Sequence, residues 1–301
     1  MEIVAEGLLM PEGPVWMKDG SVIVVEVGAG VLTRIWPDGR KECVAECGGG
    51  PNGAAIGPDG WLYVCNNGGL HIEEVDGKLH ATGAASLTYN GGWIDRIHPT
   101  SGKVERLYEE CEGRRLAGPN DIVFDYEGGM WFSDFGKDLG YMTENGGIYY
   151  AKPDGSLIKR AIDGGRVNGV GLSPDRKTLY GALSFESLVV AFAIEGPGEL
   201  RGAGMLVGEP VGQLAARQIP DSLAVTEDGH ICVATCMTNA GVASISPVTG
   251  EVRNFPFPDP VTTNICFGGP DMQDAWVTLT TSGRLARVRW ERPGLRLAYY
   301  A

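Results

Sequence analysis

The stretch PNDIVFDYEGGMWFSD, residues 119–134, contains the pattern that decides the fold. A polar turn, Pro-Asn-Asp, leads directly into an apolar run, and a Gly-Gly turn leads into a second one. Short apolar runs joined by turns of this composition are typical of paired β-strands. The stretch therefore predicts a β-hairpin whose buried first strand begins with an amide and a carboxylate.

The same phrase recurs five more times, at intervals of about 40 to 70 residues. Each copy has a polar opening, an apolar strand, a turn rich in Gly, Asp or Pro, and a second apolar strand. The other copies are EGPVWMKDGSVIVVE from Glu12, PNGAAIGPDGWLYVCN from Pro51, VNGVGLSPDRKTLYGA from Val167, PDSLAVTEDGHICVAT from Pro220 and TNICFGGPDMQDAWVTL from Thr263. Two further strands follow each pair, so that each repeated unit has four strands.

Six four-stranded units predict an all-β fold, a six-bladed β-propeller with four-stranded blades around a central metal-binding channel. We expect a single domain over residues 1–301, because no linker or composition shift divides the chain. The N-terminal EIVAEGL is expected to supply the outer strand of the last blade. A β-sandwich would need fewer strands, and a TIM barrel would need amphipathic helices that the pattern lacks.

The first strand of each propeller blade lines the central channel, so the polar residues that open these strands are expected to converge there. They are Glu12, Asn52, Asn120, Asn168, Asp221 and Asn264. This set has carboxylate and amide oxygens but no His or Cys, which favours Ca²⁺ or Mg²⁺. The alternative is that all six are ordinary turn residues, since Asn and Asp are common in turns.

Composition limits the partners and the compartment. The net charge of −13 argues against nucleic acid or an anionic membrane as a partner. No apolar run approaches the ~20 residues of a membrane span, and the N-terminus lacks the basic region of a signal peptide. Seven cysteines without a C-x-x-C pair predict buried free thiols in a reducing, cytoplasmic setting.

Together, the segments PEGPVW, GPNDIVFD, VNGVGLSPD, PDSLAV and TTNICFGG resemble the senescence marker protein/gluconolactonase family, also called regucalcin-like. The resemblance spans essentially the whole chain. It implies a six-bladed propeller with a divalent metal in its channel, with Ca²⁺ expected and Mg²⁺, Mn²⁺ or Zn²⁺ as alternatives. It also implies hydrolysis of a small-molecule lactone, a sugar lactone or a related cyclic ester.

Matched by motif, the resemblance implies the metal ligands Glu12, Asn120, Asn168 and Asp221. Asp221 is the expected catalytic residue, either as general base for water or as nucleophile, and Asn120 is also a candidate substrate contact. Regucalcin-type members resemble RFND where this chain has GPND, so Gly118 stands in place of an arginine that touches substrate. This departure argues against the sugar acid lactones of that branch.

Further substrate contacts are expected from Asn52, Asn264, His71 and Lys137. His71 and Lys137 fall in segments 66–92 and 134–147, which connect second and third strands and should lie on the same face as the channel residues. His71 could be a base or a rim residue, and Lys137 could bind a carboxylate or be a solvated loop residue. The oligomeric state is left open.

Three other functions are compatible with a propeller of this kind. The first is a non-enzymatic calcium-binding protein, in which the metal only holds the blades together. The second is an organophosphate or ester hydrolase of the same fold. The third is a metal-free synthase of the strictosidine synthase type, which the carboxylates of the channel disfavour.

Overall fold

The structure is a computed structural model that describes residues 1–75, 78–202 and 208–299. The described residues form β-strands, turns and irregular segments and contain no α-helix, which confirms the all-β prediction. These described residues form no helix long and apolar enough to cross a membrane. All seven cysteines are free. The predicted burial is wrong for Cys43, which is exposed, and for Cys47 and Cys266, which are half-buried.

In chain order, the strands are β1 (Glu2–Ala5), β2 (Pro11–Trp16), β3 (Val22–Glu26), β4 (Val31–Ile35), β5 (Lys41–Glu46), β6 (Pro51–Ile56), β7 (Leu62–Asn66), β8 (Leu70–Val75), β9 (Lys78–Ala85), β10 (Trp93–Ile97), β11 (Val104–Tyr108), β12 (Glu110–Cys111), β13 (Arg114–Arg115), β14 (Pro119–Phe124), β15 (Met130–Asp134), β16 (Lys137–Asp138), β17 (Thr143–Glu144), β18 (Gly147–Ala151), β19 (Ile158–Asp163), β20 (Val167–Leu172), β21 (Thr178–Leu183), β22 (Leu188–Gly196), β23 (Glu199–Leu200), β24 (Glu209–Gln213), β25 (Gln218–Val225), β26 (Ile231–Met237), β27 (Gly241–Ile245), β28 (Val252–Pro256), β29 (Thr262–Gly268), β30 (Asp274–Leu279) and β31 (Arg284–Arg289).

Most of these strands form four-stranded antiparallel sheets that follow the repeated units. In the order of their hydrogen-bonded neighbours, the sheets are β2-β3-β4-β5, β6-β7-β10-β11, β14-β15-β18-β19, β20-β21-β22-β24, β25-β26-β27-β28 and β29-β30-β31-β1. The N-terminal strand pairs with β31, which confirms that the chain start supplies the outer strand of the last sheet.

The first strands of these sheets contact one another in sequence. Strand β2 packs against β6 and β29, and the contacts continue through β14, β20 and β25 back to β29. Glycines allow the backbones to approach closely. A Cβ on Gly53 would lie 2.5 Å from the main-chain oxygen of Asn120, and one on Gly169 would lie 2.7 Å from that of Asp221. A larger residue would therefore push neighbouring first strands apart.

Each first strand has an irregularity at the same place. Pro119 pairs with Asp134, but the next pair is Ile122 with Phe132, so the two residues between do not follow the regular ladder. Equivalent register shifts lie between residues 12 and 15, 51 and 54, 167 and 170, 220 and 223, and 262 and 264. Bulges of this kind redirect side chains, and here they redirect the polar opening residues.

The core lies between neighbouring sheets. Trp131 packs in one apolar cluster, with the centre of its ring 4.9 Å from that of Tyr150. The next residue, Phe132, points to the other side of the sheet and stacks on Tyr149 at 5.1 Å in a second cluster. Alternate residues of β15 are thus buried on both faces, which holds the first strands rigidly in place.

A small additional sheet, β8-β9-β16-β17, is built from two insertions. The hairpin β8-β9 is inserted between β7 and β10, and β16-β17 is inserted between β15 and β18. They join by parallel pairing of Asp138 with Ala84. Leu70 and Leu79 pack against the apolar cluster of the first sheet. We call this unit the lid sheet; residues 76 and 77 between β8 and β9 lie outside the described residues.

Candidate functional site

A cavity of about 430 Å³ lies where the first strands begin. Its lining includes residues of the lid sheet and five of the six polar residues expected to converge, which are Glu12, Asn52, Asn120, Asn168 and Asp221. These side chains come from five different sheets and are brought together because the first strands contact one another. We call this the polar cavity.

Two carboxylates, of the buried Glu12 and the half-buried Asp221, lie in this cavity. Oε2 of Glu12 accepts hydrogen bonds from the main-chain N–H of Gly13 at 2.7 Å and from Nδ2 of Asn264 at 2.8 Å. Burial nevertheless raises the pKa of Glu12 to about 7. Burial also raises the pKa of Asp221 well above its ordinary value, and the nearby charge of Glu12 raises it further. A cation bound near these two carboxylates would stabilise their charged forms, which burial and mutual repulsion destabilise.

Three amide oxygens in the same cavity lack partners. Oδ1 of Asn52, of Asn120 and of Asn168 is buried and has no hydrogen-bond partner among the described residues. Leaving such an oxygen unpaired costs about 1–3 kcal/mol, so three in one cavity require an explanation. A cation that accepts these oxygens would supply it, because amide and carboxylate oxygens are the ligands preferred by Ca²⁺ and Mg²⁺.

A metal site built only from His, Cys, Asp and Glu side chains is excluded for the described residues. Within residues 1–75, 78–202 and 208–299, no group of three or more His, Cys, Asp or Glu side chains could hold a metal ion. Any cation in the polar cavity would therefore have to be held by the amides together with Glu12 and Asp221. The residues present fit a hard divalent ion.

Asn264 lies one step deeper than the other opening residues. Thr263 lines the polar cavity, whereas Asn264 lines a second cavity and donates to Glu12. The register explains this difference, because Thr262 pairs with the second strand where Pro119 does in the third sheet. Asn264 therefore positions Glu12. The sequence repeat aligned Asn264 with Asn120, and this alignment is wrong by one residue, because Thr263 has the position of Asn120.

His71 is not among the residues that line the polar cavity. Its Nδ1 lies 3.3 Å from Oγ1 of Thr82 and 3.9 Å from Oε1 of Glu73, and the side chain is exposed at 41%. The histidine that does line the cavity is His80, on β9. The sequence carries no motif around His80 that would have distinguished it from His71.

Lys137 lines the cavity from the lid sheet and is only 3% exposed. Its Nζ donates to the main-chain oxygen of Asn67 at 2.6 Å and to Oδ1 of the same residue at 3.2 Å. Nζ also lies 5.1 Å from the centre of the Tyr89 ring. Burial lowers the pKa of Lys137 to about 7. The solvated-lysine alternative is therefore wrong, while binding of a substrate carboxylate stays a prediction.

Sequence reasoning missed other residues of this region. Arg166, Phe185 and Cys236 line the polar cavity, and Sγ of Cys236 lies 3.5 Å from Oδ2 of Asp221. Asp121 is buried one step deeper than Asn120, and burial raises its pKa to about 7. The PND motif could have indicated Asp121, since its carboxylate opens a buried strand; no comparable signal marks the other three.

A second cavity, of about 120 Å³, is lined by the later residues of the same first strands. We call it the apolar cavity, because most of its lining is aliphatic or aromatic. Leu295, Leu297 and Tyr299 of the C-terminal segment also line it. This segment is tied down by the Leu295 N–H, which donates to the main-chain oxygen of Val225 at 2.8 Å.

The sequence of this chain matches the model of a known protein family. Residues 10–281 match the model of the SMP-30/gluconolactonase/LRE-like region. The chain belongs to this family. A gluconolactonase of Zymomonas mobilis is 27% identical over 202 residues, which are 60% of this chain and 50% of that protein. The regucalcin of Xenopus laevis is 25% identical over 289 residues, 93% of this chain and 86% of that protein.

Solved structures extend the likeness to the fold of the family. The calcium-binding protein regucalcin from Agrobacterium tumefaciens superposes with a TM-score of 0.75 at 17% identity, covering 100% of this chain and 97% of the other. At this identity the similarity concerns the fold. The match to the gluconolactonase spans half the length of that relative, so activity is not transferred with it.

Proposed function

We propose that the protein is a divalent-metal-dependent lactonase whose six sheets are the blades of a six-bladed β-propeller. The mutual contacts of the six first strands support this architecture, with the polar cavity at one end of a central channel. Membership of the SMP-30/gluconolactonase/LRE-like family supports lactone hydrolysis. Related proteins named gluconolactonase and lactonase point the same way.

The observation that carries the proposal is that Oδ1 of Asn120 and of Asn168 lack partners beside two carboxylates, while Oδ1 of Asn52 is left for a substrate donor. Glu12, Asn120, Asn168 and Asp221 would hold the ion, and Asn52 would face the substrate. Ca²⁺ is the first candidate because the set contains hard oxygens and because calcium binding is named for the related regucalcin structure. When bound, such an ion supplies Lewis acidity and polarises a carbonyl.

Asp221 would act as general base. Its carboxylate lines the cavity next to Sγ of Cys236, where it could take a proton from a water molecule. In the reaction, the oxygen of a water molecule bonds to the lactone carbonyl carbon while its proton passes to Asp221. The bond between the carbonyl carbon and the ring oxygen then breaks, and the ring oxygen takes the proton that Asp221 accepted from the water molecule. Cys236 and Asn168 would hold the Asp221 carboxylate in position.

A second candidate is a calcium-binding protein without turnover, as the name of the related structure would allow. The lid sheet favours an enzyme, since a metal that only holds sheets together needs no walled cavity above it. An ester or organophosphate hydrolase of the same fold is the other alternative. A cytoplasmic location and a small-molecule substrate remain predictions.

The test is a panel of aldono- and aliphatic lactones, with and without chelator, followed by restoration with Ca²⁺. We expect hydrolysis that chelation abolishes and Ca²⁺ restores. Asp221→Ala should lower kcat by about 100-fold or more, because a general base contributes at least that much. Asn52→Ala, which removes another group of the same cavity, should lower it by about 10-fold or less.

Two outcomes would contradict the proposal. Tight Ca²⁺ binding with no turnover of any lactone would favour the binding protein. Turnover of a phosphotriester such as paraoxon, with no lactone accepted, would favour the organophosphate hydrolase.

A further inference from the structure

Arg166 brings a guanidinium to the wall of the polar cavity. The guanidinium carbon lies 5.4 Å from the centre of the Phe135 ring and 5.2 Å from that of Phe185. The two rings also stack on each other at 5.9 Å. Among the described residues, no carboxylate forms an ion pair with Arg166. A guanidinium held by aromatic faces keeps its edge N–H groups for a ligand.

Lys137 adds a second basic group to the same cavity, and a bound anion would favour its protonated form. An ammonium has three donors, and Asn67 accepts two of them, which leaves one for a ligand. The carboxylate of the nearby Asp134 is already bound by the main-chain N–H groups of Ala117, Gly118 and Gly136 at 2.7 to 2.8 Å. The charge of Lys137 is therefore not neutralised by a direct ion pair.

Position 118 cannot supply a cation in this protein. A Cβ on Gly118 would lie 2.4 Å from the main-chain oxygen of Gly136, so the space beside it is filled by backbone. Phe135 and Lys137, the two neighbours of Gly136 in the chain, also line the cavity. The basic side chains that line the cavity are therefore Lys137, which follows a strand of the third sheet, and Arg166, which precedes the first strand of the fourth sheet.

The remaining wall restricts the ligand further. Much of it is apolar, with contributions from Met10, Val27, Leu79, Ile219 and Val261. Apolar walls leave the hydroxyls of a polyol without partners. With Glu12 and Asp221 assigned to a cation, Asp138 is the remaining acid of the lining among the described residues. Arg166 and a protonated Lys137, together with Asp138, carry one net positive charge, which favours a ligand group with a single negative charge over a doubly charged phosphate.

We propose that Arg166 and Lys137 bind a free carboxylate of the substrate, which is then the lactone of a hydroxy dicarboxylic acid. This inference rests on the proposed lactonase function for the reaction, while the anion site itself rests on the two cations and their surroundings. Phe135 and Phe185 orient Arg166. The lactone ring would lie between this anion site and the carboxylates of Glu12 and Asp221.

The experiment compares two lactones that differ only in charge: γ-butyrolactone-γ-carboxylate and its γ-carboxamide. The Ca²⁺-loaded wild type should prefer the carboxylate. Arg166→Gln and Lys137→Met should each lower kcat/KM for the carboxylate by about 10- to 100-fold, because hydrogen bonds to a charged group are lost. For the carboxamide, the change should stay within about 3-fold.

Arg176→Gln is the matched control. Arg176 also lies over an aromatic ring, 3.4 Å from the centre of Tyr126, but it lines neither cavity. Its loss should leave the preference for the carboxylate unchanged. Equal losses on both lactones in Arg166→Gln, or a wild type that prefers the carboxamide or a phosphorylated lactone, would overturn the inference.

Direct binding separates this inference from the proposed function. If no lactone is hydrolysed, the lactonase proposal fails, but titration with the ring-opened dicarboxylate α-hydroxyglutarate still measures the anion site. Binding by the wild type that Arg166→Gln weakens about 10-fold would support the site. Absence of binding, or equal binding by both proteins, would reject it.

Discussion

The polar and apolar cavities are lined by the same six first strands but have opposite chemistry. The polar cavity has the opening residues, with unpartnered amide oxygens and the carboxylates of Glu12 and Asp221. The apolar cavity has residues from the same strands beyond the bulges, such as Val123 and Leu172. The change occurs within one or two residues of each strand. The difference indicates that one end of the strands is built for a ligand and the other for packing.

The covers of the two cavities differ as well. The lid sheet over the polar cavity is an insertion whose residues reach the lining, including Leu79 and Lys137. The apolar cavity is covered by a C-terminal segment, and the Tyr299 ring packs edge-on against Phe124 at 5.7 Å. We therefore expect changes at the lid to alter substrate selection and changes at the tail to alter stability.

The largest expected effect is on the two carboxylates of the polar cavity. Glu12→Gln and Asp221→Asn should each lower Ca²⁺ affinity by about 100-fold or more, because one of two carboxylate ligands is lost. Val123→Ala, at the apolar end, should leave the affinity unchanged while lowering the free energy of unfolding by about 1–2 kcal/mol. Calorimetric titration measures the affinities. Unchanged Ca²⁺ affinity in both carboxylate variants would refute the ligand assignment.

A smaller effect is expected from the lid. Replacing residues 72–88 by a short Gly-containing turn removes Leu79 and His80 from the cavity wall and removes β9, the parallel partner of β16. KM should rise by about 10-fold, or the preference among lactones should change, with Ca²⁺ affinity within about 3-fold of normal. Steady-state kinetics over the lactone panel test this. Identical kinetics after the replacement would assign selectivity to segment 134–141 instead.

The smallest effect on the polar cavity is expected from the tail. Removing residues 295–301 exposes the apolar cavity and should lower the free energy of unfolding by about 2 kcal/mol, as burial of Leu295 and Tyr299 is lost. Thermal unfolding measures this loss. Ca²⁺ affinity and KM should be unchanged, and a tenfold loss of affinity would mean that the two ends are coupled through the first strands.

The repeat in the sequence was enough to predict the all-β fold and the N-terminal strand of the last sheet. It worked because hairpin turns and alternating apolar residues are local signals that recur with each unit. It also identified five residues of the polar cavity, since each opens a first strand. It misassigned Asn264, because a bulge shifts the register by one residue and this shift leaves no mark in the sequence.

By itself, the sequence determined where strands begin, which of their residues are polar, and that these residues recur in every unit. Only the tertiary structure decided which loop residues reach the cavity. His80 lines it while His71 does not, and Arg166 comes to it between Phe135 and Phe185. These neighbours are far apart in sequence, and their meeting depends on how separate sheets and insertions pack together, which no local pattern encodes.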